Sequence, residues 1–408
     1  MTHDADILIV GGGLNGPALA LALAQAGLSS VVIDARPAPA RAEPGFDGRA
    51  YALAAASRRL LTAIGVWPRV ADRAQPILEI KASDGRAGEG PAPFFLHFDA
   101  AEIEEGPMGF MLEDRFLYAA FRAAMADSAR ITHLPGETVV AQAAGAAGAS
   151  ITLASGRVLT GRMIAGCDGR DSGTATRAGI ARTGWAYGQT ALVTAVEHAL
   201  PHHGIAHQFF MPEGPLAILP LPGNRSSIVW SAPDRVAAAI QALPDDAYLA
   251  ALRPRFGDFR GDIQLAGVRF TYPLSLSLAA RFVADRLALV GDAAHGVHPI
   301  AGQGLNLGLR DVAALAQVLA EAARRGEDIG AADVLERYQL WRRFDTTALA
   351  LGMDAVNRLF SNDNPLLRAV RDIGMGAISR TPALRRGFMR QAAGLSGDLP
   401  RLLRGEPA

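Results

Sequence analysis

Two glycine-rich stretches of this 408-residue chain carry residue types that suit a dinucleotide. The first is Gly11-Gly12-Gly13-Leu14-Asn15-Gly16, which follows a short apolar run and opens an alanine- and leucine-rich one. Glycines at 11 and 13 permit a tight turn and a close approach of backbone to a pyrophosphate, and Gly16 lets the next helix pack on the sheet. The start of that helix, at Leu14 and Asn15, offers unpaired N–H groups and the positive end of a helix dipole to phosphates. Asp34 ends the following apolar run, 23 residues after Gly11, where a carboxylate can accept hydrogen bonds from ribose hydroxyls. Its charge disfavours a 2′-phosphate, which leaves FAD or NAD rather than NADP.

The second stretch runs from Gly291 to Asn306: Gly-Asp, a turn containing Pro299, then Gly302-Gln303-Gly304-Leu305-Asn306 at the start of a helix. Asp292 could hydrogen-bond ribityl or ribose hydroxyls. The dipole of the helix beginning near Gly304 points at whatever lies in front of it, and a flavin pyrimidine edge, which becomes anionic on reduction, is a fitting occupant. Between the two stretches lies Asp168-Gly169-Arg170-Asp171-Ser172.

These residues need elements to hold them. Asp6–Val10, Leu14–Ala26 and Val31–Ile33 read as a β-α-β unit, with Gly27 as the stop after the helix. Tyr51–Ile64 and Asp114–Asp127 read as helices. Ala154-Ser155-Gly156 reads as the turn of a hairpin, Met163–Ala165 as a buried strand, and the alanine-rich Ala141–Ala149 as a loop with a strand edge. From Thr190 to Ser231 short apolar runs alternate with Pro and Gly, the pattern of an antiparallel sheet whose last strand is Arg269–Leu276. Leu287–Val290 returns to parallel-sheet style. After Leu305 the chain is mostly helical, with breaks at Glu327–Ala331 and Asn362–Pro365. The expected organisation is α/β: a nucleotide domain from residues 1–75, 100–185 and 280–325, an inserted antiparallel-sheet domain from 76–99 and 186–279, and a helical C-terminal region from 326–408.

Composition excludes several classes. Forty acidic residues balance forty basic ones, and half of the chain is apolar, which argues against disorder and against nucleic acid as the main partner. The single cysteine, Cys167, excludes a disulfide scaffold or a cysteine-based metal site and reads as a small core residue. Ile7–Ile33 has no charge, but its glycines and proline break it into strand, turn, helix and strand, so it does not read as a membrane span. His202, His203 and His207 read as a solvated loop without ligand spacing, and no metal is expected. Arg324-Arg325 and Arg342-Arg343 read as solvated helix faces. Trp185, Trp230 and Phe209-Phe210 could line a cavity, with core packing the default, and of His295 and His298, which flank the flavin motif, His298 is either structural or cavity-shaping.

The two glycine stretches together resemble the class A flavoprotein aromatic monooxygenases, and Asp168-Gly169 resembles that family's Asp-Gly motif. The family's arginine three residues after the serine is replaced here by Ala175, and the next arginine is Arg177. Three further blocks resemble the ubiquinone-biosynthesis hydroxylase branch: Asp47–Leu53 followed by Ile64-Gly65-Val66-Trp67, His298–Asp311, and Gly394–Gly405. The resemblance implies a Rossmann-like FAD domain of the glutathione-reductase type with a parallel sheet, carrying an inserted antiparallel-sheet substrate domain and a helical tail. It implies that Arg49 and Arg115 approach the FAD, that Pro299 lies over one face of the isoalloxazine, and that Gly304 and Leu305 give backbone N–H groups to the flavin. It implies O2 as co-substrate, NADH, NADPH or a protein donor as reductant, and hydroxylation of a polyprenylated phenol through a flavin C4a-hydroperoxide. No side-chain base is assigned.

The expected location is cytoplasmic, and an apolar phenol leaves open a peripheral contact with the inner face of the membrane. The tail Ala369–Leu395, split by Pro382, mixes apolar residues with arginines and suits an anionic surface, packing on its own core, or a sister quinone-biosynthesis protein. Homo-oligomer formation is left open. Two rivals stand beside this reading: a hydroxylase of a small soluble phenol or aromatic acid, and a non-catalytic FAD-containing scaffold of a quinone-synthesis complex.

Overall fold

The computed structural model describes residues 3–37, 48–88, 90–103, 105–297, 302–360 and 380–408. Pro299, His298 and the break at Asn362–Pro365 lie outside them, as does the first part of the Ala369–Leu395 tail.

The first sheet is built on strands that read as continuous apolar runs because helices or chain cover both faces. Its parallel core orders Ile131–Pro135, Ser30–Asp34, Ala5–Val10, Val158–Gly166 and Leu287–Leu289. Ile7, Leu8 and Ile9 are fully buried between helix Asn15–Gln25 and the rest of the core. The antiparallel pair Val139–Gly145 and Gly148–Leu153 extends from the start of Val158–Gly166. The alanine-rich segment expected as a loop with a strand edge is therefore a hairpin. Alanine side chains fit either face of a narrow ribbon, and Gly148 at φ +142° makes its turn.

The second sheet is mostly antiparallel. It runs Phe270–Ala279, Arg182–His198, Arg225–Pro233, Leu216–Leu221, Ile205–Phe210, and then, by a parallel pairing, Glu79–Arg86 and Gly90–Asp99. Helices Asp234–Gln241 and Asp245–Phe256 cover it, burying Tyr248, Leu252 and Phe256 with Trp230. At its other edge the short strand His295–Gly296 pairs with Ser277 and Leu278, which stitches the second glycine stretch to this sheet.

A third, three-stranded sheet holds Ala50–Ala54, Gly109–Glu113 and Gln75–Ile77. The helix expected over Tyr51–Ile64 thus begins only at Ala55. The alanines favour helix, but tertiary bonds override that preference. The Asn306 side chain donates to the Ala52 carbonyl and accepts from the Ala54 N–H, both at 2.8 Å, holding this segment extended.

Helices Gln303–Arg324 and Ala332–Phe360 then pack against the first sheet and each other. Arg342, expected on a solvated face, is 3% exposed, because its guanidinium is paired with the fully buried Asp311 and the half-buried Asp345. His202 is likewise buried rather than solvated. Its Nε2 donates to the Leu221 carbonyl and its Nδ1 accepts from the Gly204 N–H.

Candidate functional site: a dinucleotide cradle at the carboxyl ends of the parallel strands

Strands Ala5–Val10, Ser30–Asp34, Val158–Gly166 and Leu287–Leu289 point their carboxyl ends the same way. Gly11–Gly13, Asp34, Cys167-Asp168 and Gly291-Asp292 follow them, at the place where open α/β sheets bind ligands. Each glycine of the first turn has its own reason. Gly11 has φ +114°, and a Cβ there would overlap the Cys167 carbonyl. A Cβ on Gly16 would overlap the Gly11 carbonyl oxygen. Gly12, which the sequence reading passed over, abuts Asp34: its Cβ would lie 2.5 Å from the Asp34 Cβ. Gly13 differs, because a Cβ there would meet nothing within 4 Å. Open space beside the start of a helix whose first N–H groups lack intrahelical partners is the cradle that a pyrophosphate fits.

Asp34 is 5% exposed. Its Oδ1 accepts from the Arg36 N–H at 3.0 Å and its Oδ2 from the Tyr118 hydroxyl at 3.3 Å. Those bonds fix the carboxylate at the strand end and leave lone pairs for diol hydroxyls. Asn15 begins the first helix, and its side chain is wedged where Gly291 and Gly308 leave room: a Cβ on either glycine would overlap it. It joins the two glycine stretches. Its buried Oδ1 has no hydrogen-bond partner among the described residues.

The second stretch ends in helix Gln303–Arg324, capped by Gly302 at φ +62°. Gly304 has open space where a Cβ would be, and Leu305 is half-buried beside it. The Gln303 side chain reaches back to the Ala392 carbonyl at 3.5 Å. Asn306 spends its whole amide on the protein, bonding Ala52, Ala54, Ser57 and Gly302, so its part is to tie the helix start to the third sheet.

Asp168 is also committed locally. Its carboxylate accepts from the Ser172 hydroxyl, and from the Thr174 N–H and hydroxyl at 2.9 and 2.8 Å, capping the helix at Gly173–Arg177. Arg177 turns away to Gln142. The neighbouring Cys167 thiol is pushed up by burial, with Asp168 and Asp311 adding to the shift, which makes it inert.

Arg49 pairs with Asp114 at 3.7 Å and lies over the Phe270 ring. Arg115 bonds Glu113 at 2.7 Å, and Arg225 bonds the other Glu113 oxygen at 2.9 Å, so a fully buried acid bridges the third sheet to the second. Nothing in the sequence marks Glu113 or Arg225 for this bridge.

What holds Asp292 is equally unmarked in the sequence. Arg182 donates to the Asp292 carbonyl at 3.1 Å and to the Ala293 carbonyl. Behind the loop, the fully buried Asp311 accepts from the Gly291 N–H at 3.0 Å, from His295 Nε2 at 2.5 Å and from Arg342 Nε at 2.8 Å. Burial alone would raise the Asp311 carboxyl, but His295 and Arg342 outweigh it and hold it below the usual range. The legible signal was Arg310-Asp311 itself, a charge pair amid an otherwise uncharged helical run. Nothing in the sequence near Arg182 or Arg342 marks them.

The donors fit FAD: an open glycine turn, a buried diol-accepting acid, and a second helix start beside Gly304. Comparison with known proteins agrees. The FAD binding domain family model matches residues 4–348. Ubiquinone hydroxylase UbiL from Rhodospirillum rubrum is 46% identical over 99% of this chain and 93% of its own. The 3-demethoxyubiquinol 3-hydroxylase of Escherichia coli is 36% identical over 97% of this chain and 100% of its own. In fold, the chain superposes on p-nitrophenol 4-monooxygenase PnpA from Pseudomonas putida with a TM-score of 0.81, covering 97% of this chain and 99% of that one at 18% identity. This chain belongs to the FAD binding domain family, in the branch of the ubiquinone hydroxylases.

Proposed function

We propose that this chain is an FAD-dependent monooxygenase that hydroxylates the aromatic ring of a polyprenylated phenol in ubiquinone biosynthesis. The observation that carries the reading is the near-full-length match to a ubiquinone hydroxylase at 46% identity. Bound FAD, reduced by NADH, NADPH or a protein donor, supplies the oxygen chemistry with O2.

The protein's own part is to bind, orient and exclude water. Backbone N–H groups of Gly11, Gly13, Leu14, Asn15 and Gly16 would hold the pyrophosphate, and Asp34 the ribose. Arg49 and Arg115 would approach the cofactor from the third sheet, and Asp292 would take ribityl hydroxyls. The N–H groups of Gly304 and Leu305, behind Gly302 and Gln303, would stabilise negative charge on the flavin, with Pro299 over one ring face. Asp168 and Asn306 would act at one remove, by fixing the loops. A Cβ on Gly302 would lie 3.0 Å from that of Ala52, which belongs to an apolar seam with Met111, Ala195, Ala206 and Leu221. That seam packs the third sheet against the second.

Among the described residues no helix is long and apolar enough to cross a membrane. Contact with lipid would be peripheral. Helix Pro382–Ala392 buries Met389 against Ile103 and Met108 and pairs Arg385 with Glu102 at 2.7 Å. It leaves Leu384, Arg386, Phe388 and Arg390 exposed, a composition suited to an anionic surface.

Deleting the gene and measuring quinone intermediates by mass spectrometry tests the reading. One accumulating prenylphenol lacking a single ring oxygen is expected, and its structure names the carbon. Unchanged quinone in a strain with no second hydroxylase would overturn it.

A further inference from the structure

The buried charges behind the second glycine stretch exceed what a helix packing contact needs. Asp311 accepts from both ends of the Gly291–His295 segment, the Gly291 N–H and the His295 ring, and so closes that segment into a fixed loop. Gly291 sits at φ +63°, so the loop begins in a conformation that an unrestrained chain seldom holds. Asp311 is in turn gripped by Arg342, from the long helix Ala332–Phe360. Arg342 also binds Asp345 at 2.6 Å and Thr346 at 3.2 Å, and Arg310 shares Asp345 at 3.2 Å. From the opposite side Arg182 holds the Asp292 and Ala293 carbonyls. His295 is fully buried, and its Nδ1 has no hydrogen-bond partner among the described residues. Its one polar contact there is therefore to Asp311. Asp292, the residue between these anchors, is only half-buried.

We propose that Asp311, His295 and Arg342 form a positioning cluster through which the long helix sets the geometry of the FAD loop and hence cofactor affinity and flavin potential. This rests on the reading that the Gly291–His295 loop faces FAD. None of the three residues is a catalytic residue in this account. They act through the backbone of the loop, as outer supports do at other cofactor sites.

The test uses the full chain, stripped of flavin and titrated with FAD. The wild type, His295→Leu, His295→Gln and Arg342→Lys variants are compared for FAD affinity, flavin absorption spectrum and midpoint potential, with circular dichroism as the control for folding. His295→Leu should weaken FAD binding by roughly tenfold or more and shift the spectrum and the potential. His295→Gln, which keeps a side-chain donor for Asp311, should recover most of the affinity. Arg342→Lys, which keeps the charge but loses the forked geometry, should fall between them. A folded His295→Leu with wild-type affinity, spectrum and potential would overturn the proposal. So would a His295→Gln as impaired as the leucine variant. If His295→Leu does not fold, Arg342→Lys decides by the same readouts. A wild-type chain that does not bind FAD at all overturns the functional reading before any variant is made, so the two failures are told apart.

Discussion

The chain makes two glycine-rich turns from a parallel strand into a helix, and it holds them by opposite means. The turn at Gly11–Gly16 is held by close backbone approach: Gly11 lies against the Cys167 carbonyl, and Gly16 against Gly11. No side-chain charge is needed, and every residue that matters except Cys167 lies within one β-α-β unit. The loop at Gly291–Gly296 is held by charge, from the half-buried Arg182 on one side and from the buried Asp311, His295 and Arg342 on the other. The first turn tolerates no added atom except at Gly13. The second depends on partners far away in sequence, which makes it sensitive to their loss and adjustable through them.

Four experiments break or sharpen this contrast. The largest effect is expected from Arg342→Met. Removing Arg342 from this buried cluster leaves Asp311 with only His295 and the Gly291 N–H and should cost about 3 kcal/mol, read by denaturant unfolding. A loss below about 1 kcal/mol would mean that the second loop is not held by charge. Gly16→Ala comes next, at about 2–3 kcal/mol, because the new methyl meets a backbone oxygen that can only move with the strand. Gly13→Ala is the counterpart. It should change stability by less than about 0.5 kcal/mol, since its Cβ enters open space, yet weaken FAD binding because that space is the cradle. Equal losses of stability in the two glycine variants would contradict the separate reasons given for them. The smallest effect at ordinary pH comes from acid. The Asp311 carboxyl is held below its ordinary value of 3.8, so the stability it contributes is complete above that pH and is lost as pH falls through the lower folded value. FAD release on acidification should therefore steepen below about pH 4 in the wild type. Asp311→Asn, already lacking that charge, should show no such step.

The same contrast explains what could be read in the sequence. The β-α-β unit, Asp34 and the short strands of the second sheet were legible because period, punctuation and turn chemistry are local. The strand at Tyr51 was not, since its alanines favour helix and what holds it extended is distant in sequence: the ladder to Gly109–Glu113 and the Asn306 side chain, some 250 residues on. Arg342 looked like surface because arginine pairs on helices usually are. Its burial depends on Asp311 of the neighbouring helix and Asp345 of its own, and the first of those contacts shows no period in the sequence. His202 looked solvated because its partners, Leu221 and Gly204, are backbone groups, which leave no mark in a sequence.

The most direct test of the central claim is isotopic. The purified chain, loaded with FAD, would be given NADH, 18O2 and a short-chain prenylphenol in lipid vesicles, and the product weighed by mass spectrometry. The account predicts one 18O atom on the aromatic ring and oxygen uptake that depends on the phenol. Oxygen uptake that yields only peroxide, with no labelled phenol under these conditions or with a protein donor in place of NADH, would contradict it.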